Sequence, residues 1–68
     1  MNGWQRVYFS DKLYRAELVS AVLEEHNFNP VIVNRKDSAY QWGHYEVYVA
    51  PEFVLMALKI ISDEISWS

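Results

Sequence analysis

The sequence predicts an α+β domain with the element order β-α-β-β-α. Three observations carry that prediction: period-two alternation at Arg6 to Phe9 and again at His44 to Val49, helical spacing of apolar residues from Leu13 to Leu23, and a proline-started apolar stretch from Pro51 to Ile65. A chain of 68 residues makes one domain, residues 1–68, and 51% hydrophobic with 16% aromatic residues is enough apolar material to fold rather than stay disordered.

The first strand spans roughly Trp4 to Phe9, where Val7 and Phe9 alternate with Arg6 and Tyr8. Ser10 or Asp11 then offers a cap oxygen for a helix reaching His26, whose apolar arc is Leu13, Ala16, Val19, Val22 and Leu23, with Glu17, Glu24 and Glu25 opposite. Asn27 suits the left-handed conformation that ends a helix, and Asn29-Pro30 keeps the chain extended into a second strand, Val31-Ile32-Val33. Asn34 to Trp42 reads as a long loop, polar at first and then aromatic. The third strand places Tyr45, Val47 and Val49 on one side and His44, Glu46 and Tyr48 on the other. Pro51 and Glu52 suit the first turn of the second helix, with Val54, Ala57, Leu58, Ile61 and Ile65 facing the sheet. Phe53, Leu55, Met56 and Ile60 widen that arc beyond one sheet contact, toward the first helix and the C-terminal tail or toward a partner subunit.

A right-handed crossover after strand one and a hairpin after strand two give a three-stranded antiparallel sheet of order 1-3-2 with both helices on one face. This is a ferredoxin-like fold lacking its last strand. The missing strand leaves an open edge beside strand one, to be covered by Ser66-Trp67 or by a homodimer.

Chemistry-bearing constellations are absent from the pattern. Without cysteine there is no disulfide, thiol nucleophile or thiolate zinc site, and a reducing cytoplasm is the expected compartment. His26 and His44 have no partners at metal-ligand spacing, so no metal or other cofactor is expected. Ser10-Asp11 and Asp37-Ser38 lack a base and read as capping and turn pairs, while the neighbouring acids Glu24-Glu25 and Asp63-Glu64 point apart. Gly3 and Gly43 are too far apart for a phosphate loop. The chain therefore reads as non-enzymatic. Met1 to Arg6 lacks a signal-peptide pattern and no apolar run reaches membrane-spanning length, so neither export nor a membrane is expected.

Two surfaces remain as binding candidates. One is the expected loop with Arg35, Lys36, Asp37, Ser38, Tyr40 and Trp42, where Arg35-Lys36 could meet an anion. The other is the sheet face away from the helices, with Arg6 and Tyr8 from strand one, Ile32 from strand two, and His44, Glu46 and Tyr48 from strand three. Tyrosines on adjacent strands are the pattern of RNA-recognition sheets, but Glu46 and a net charge of -3 disfavour nucleic acid.

From Val7 to Ile61 the chain resembles a domain-of-unknown-function family described as prokaryotic signal transducing proteins. The resemblance lies in the order of its pieces: a strand, a helix with Ala16-Glu17 and Leu23-Glu24-Glu25, a strand ending at Asn34, the stretch Lys36-Asp37-Ser38, then Glu46-Val47-Tyr48-Val49 and a proline-started helix. It implies a βαββα domain of PII-like and ferredoxin-like shape that senses or relays by binding, and it brings no catalytic residues. The resulting expectation is a small bacterial regulatory module that docks an unidentified protein or small ligand. The alternative is an interaction module that forms a homo-oligomer through the open edge or the second helix, with no small ligand.

Overall fold

Apolar residues from two helices collapse onto one face of the sheet, and that burial places everything else. The computed structural model describes residues 3–37 and 42–65. Its elements are β1 (Gln5–Ser10), α1 (Leu13–Glu25), β2 (Val31–Asp37), β3 (Trp42–Val49), a 3-10 turn at Pro51–Phe53 and α2 (Val54–Glu64). The strand order is β1-β3-β2, with β3 antiparallel to both neighbours. The α+β class, the βαββα order and the 1-3-2 sheet are as the sequence predicts.

The core joins Val7 of β1, Val47 and Val49 of β3, Ala16, Val19 and Leu23 of α1, Phe28, and Ala57 of α2. Because Val47 and Val49 share a face with both helices, the opposite face of β3 has no helix over it. Ser10 stands two residues before the helix cap: its Oγ accepts the Lys12 N–H at 3.0 Å, and Lys12 occupies the cap position without a side-chain bond. At the other end of α1, Asn27 takes the left-handed conformation with φ 63°, its N–H bonds to the Glu24 carbonyl and the Phe28 N–H to that of Leu23. That paired closure satisfies two helix-end carbonyls and turns Phe28 inward. The Phe28 ring then stacks on Phe53 with centroids 4.7 Å apart, fastening the end of α1 to the start of α2.

The second strand corrects the expected loop. β2 continues to Asp37, opposite Trp42, with Arg35 opposite His44 and Lys36 opposite Gly43, so Arg35, Lys36, Asp37 and Trp42 are strand residues. The connection shrinks to residues 38–41, and the expected contributions of Ser38 and Tyr40 lie outside the described residues. The physical reason is that β2 is an edge strand, where charged side chains suit the exposed position and the backbone pairs regardless of polarity.

The first strand holds a second correction. Arg6 pairs with Tyr48 but Tyr8 pairs with Val47, so Val7 is an extra residue in a β-bulge. The bulge switches the alternation: Val7 and Tyr8 both turn toward the core, and Phe9, opposite Glu46, lands on the open face. Ile32, opposite Val47, also packs toward the core rather than on the open face. On α2, Ile60 packs on the core where Leu58 was expected. Leu55, Met56 and Leu58 remain exposed, Leu55 at 82%, among the described residues; the expected cover by Ser66-Trp67 lies outside them.

Leu23, with no exposed surface, and Leu55 make a matched pair. Leu23→Ala should cost about 2–4 kcal/mol by the cavity it leaves, a large part of the roughly 3–10 kcal/mol expected for a domain of this size. Leu55→Ala should change stability by less than about 0.5 kcal/mol. Urea denaturation measures both, and a Leu55 cost equal to that of Leu23 would mean that α2 is covered in solution.

Candidate functional site

On the open face, every described polar side chain near the centre of the sheet points at one carboxylate. Glu46 sits in the middle of β3, the central strand, between Phe9 of β1 and Val33 of β2. Its residue exposure is only 5%, although no helix covers this side. The long side chains of its neighbours bury it instead. Successive same-face positions on β3 are His44, Glu46 and Tyr48, roughly 7 Å apart along the strand and within reach of long side chains.

Each carboxylate oxygen is doubly engaged. Oε1 accepts from Arg35 Nε at 3.0 Å and from the Tyr48 hydroxyl at 3.1 Å. Oε2 accepts from Arg6 Nη1 at 2.8 Å and stands 3.3 Å from His44 Nε2, which donates in the tautomer carrying its proton there. Arg6 comes from β1, Arg35 from β2, and His44 and Tyr48 from β3, so one charge links all three strands. Burial alone pushes the Glu46 carboxyl up, but hydrogen bonds from Arg6, Arg35, His44 and Tyr48 together outweigh it and hold the group at about 2 instead of 4.5. The Arg35 guanidinium is correspondingly held in its charged form, first by Tyr48 and then by Glu46.

Phe9 completes the surface. The Arg6 guanidinium lies 4.9 Å from the centre of its ring, and His44 meets the ring edge-to-face at 6.2 Å. Phe9 is nonetheless 59% exposed. Arg6, Phe9 and His44 line an open groove of about 580 Å³ together with Gly43 and with Tyr8, Ser10, Asp11 and Arg15. A separate hollow of about 610 Å³ is lined by Asp11, Asn34, Lys36, Gly43 and Tyr45.

Of the sheet-face residues read from the sequence, Arg6, His44, Glu46 and Tyr48 come together here, whereas the bulge turns Tyr8 to pack against the core, so that it meets the others only along the groove. From the expected loop, Arg35 joins this face, while Lys36 lines the other hollow. Phe9 is the residue that sequence reasoning misplaced. Three consecutive large side chains, Val7-Tyr8-Phe9, leave the parity of the strand undecided, and only the register reveals the bulge. Among the described residues no group of three His, Cys, Asp or Glu side chains could hold a metal ion, and no helix is long and apolar enough to cross a membrane. A scan of family models and searches of curated proteins and solved structures gave no match to the chain.

The depressed Glu46 value sets the sign of an acid effect. A carboxyl at about 2 when folded and at 4.5 ordinarily stabilises the fold fully above pH 4.5, and that contribution disappears as pH falls toward 2. The full shift corresponds to about 3 kcal/mol, and screening at the half-exposed guanidiniums reduces it to about 1–2 kcal/mol. Denaturation of the protein and of Glu46→Gln at about pH 6 and pH 2 should show the parent losing that much more stability than the variant. Equal losses would contradict the geometry.

Proposed function

We propose that this domain is a non-catalytic binding module, a bacterial cytoplasmic regulator of the kind implied by its resemblance to prokaryotic signal transducing proteins, and that it docks its partner on the open sheet face. The observation that carries the reading is the convergence of Arg6, Arg35, His44 and Tyr48 on Glu46 beside the exposed ring of Phe9.

A cluster of this kind contributes modestly to stability, because desolvating a carboxylate offsets much of the attraction it gains, and well-packed apolar residues often serve a fold as well. What it supplies is a surface whose polar side chains are held in place before anything binds. The exposed aromatic ring with flanking arginines matches the composition of protein-binding patches. Catalysis has little support. A carboxyl held at about 2 and hydrogen-bonded by all its neighbours is a poor proton acceptor near neutral pH.

Replacing Phe9 by Ser together with His44→Gln removes the ring contact while leaving both arginines on Glu46. Affinity capture with the double variant should recover at least about tenfold less partner than the parent, with an unchanged circular dichroism spectrum; equal recovery would overturn the reading.

A second reading is favoured by Leu55, Met56 and Leu58, whose exposure on α2 is the composition of a self-association surface. It makes the domain a homo-oligomerisation module. Light scattering at high micromolar concentration separates the two: a monomer excludes it, and a dimer lost in Leu55→Glu supports it.

A further inference from the structure

We infer that the open face takes an extended acidic segment, with Asp or Glu carboxylates seated on the outward N–H groups of Arg6 and Arg35. This deepens the binding reading above and rests on it. Each guanidinium carries five N–H donors in a planar fork. Among the bonds to Glu46, Arg6 uses one nitrogen, Nη1, and Arg35 uses one, Nε. Arg35 also has the Tyr48 hydroxyl beside it, yet the two arginine side chains remain 48% and 57% exposed, against 7% for Glu46, so both guanidiniums can be reached from solvent while the carboxylate that orients them is covered.

Charge points the same way. The chain as a whole carries -3. Yet among the described residues at the centre of this face, two guanidiniums stand against one carboxylate, with His44 beside them. A local excess of positive charge on an acidic protein attracts carboxylates at contact range, where pairing acts within about 8 Å at physiological salt, and disfavours a long polyanion that also meets the repulsive remainder. Fork geometry favours carboxylates, which each guanidinium can bind through two parallel hydrogen bonds.

Nucleic acid fits less well for a second reason. Single-stranded bases need aromatic faces to stack on. Tyr48 has its hydroxyl tied to Glu46, Tyr8 packs against the core, and Phe9 carries Arg6 over one face of its ring and His44 against it, which leaves room to stack a single base rather than a strand. The apolar flank of Val31, 37% exposed on the same face opposite Tyr48, suits instead the side chains interspersed in a peptide.

The test follows the side-chain Nε–H resonances of the isotope-labelled full chain during titration with a hexaglutamate peptide, with hexalysine and a six-residue oligothymidylate as comparison probes. Saturable shifts at Arg6 and Arg35 with hexaglutamate alone, weakening several-fold as salt rises, support the inference. The double variant Arg6→Lys, Arg35→Lys keeps a cation beside Glu46 but loses the forks, and it should bind hexaglutamate at least about tenfold more weakly while unfolding at a similar urea concentration. Absence of saturation at millimolar peptide, equal binding of the oligothymidylate, or an unaffected lysine variant would each overturn the inference. If hexaglutamate fails while partner capture still depends on Phe9 and His44, the acidic partner is wrong and the binding face stands; if both fail, the face is not a docking surface.

Discussion

An ionised carboxylate shielded from water by its own hydrogen-bond donors is the constraint on which this sheet depends. Glu46 lies on the central strand, and its two strongest partners come from the two outer strands, Arg6 at 2.8 Å and Arg35 at 3.0 Å. With helices on one side only, a three-stranded sheet would otherwise expose its second face with little to order it. Here the charge acts as a tie across β1, β3 and β2, at the cost of keeping a desolvated anion fully partnered. Removing any one donor leaves the others to carry that cost, so the four side chains behave as a unit.

The helical face supplies the cohesion that the ion cluster does not. Leu23, Val19, Val47 and Val49 are fully buried, and the paired closure at Asn27 delivers Phe28 onto Phe53. The bulge at Val7 couples the two faces. By adding one residue to β1 it brings both Val7 and Tyr8 to the core and presents Phe9 to the other side, next to Arg6 and His44. One local irregularity thus builds part of the core and part of the surface at once.

The helices and the left-handed Asn27 were legible because each rests on local chemistry, apolar spacing, a helix-ending asparagine and a proline start, and the strand order followed from the handedness of the crossover. The length of β2 was not, since Asn34-Arg35-Lys36-Asp37 has loop composition and becomes strand only through pairing with β3. The cluster was half legible. Period two placed His44, Glu46 and Tyr48 on one face, but Glu46 read as a lone negative charge among tyrosines. Its partners lie 40 and 11 residues away in sequence, and only the sheet brings them to it. Phe9 and Tyr8 exchanged faces because no residue in that strand signals a bulge.

The most direct measurement is a titration of the Glu46 side-chain carboxyl carbon by nuclear magnetic resonance in the folded protein. With both oxygens hydrogen-bonded as described, its midpoint falls near 2 or is not reached before acid unfolding begins. A midpoint at 4.5 or above, with the protein still folded, would contradict the cluster and with it the binding face built on it.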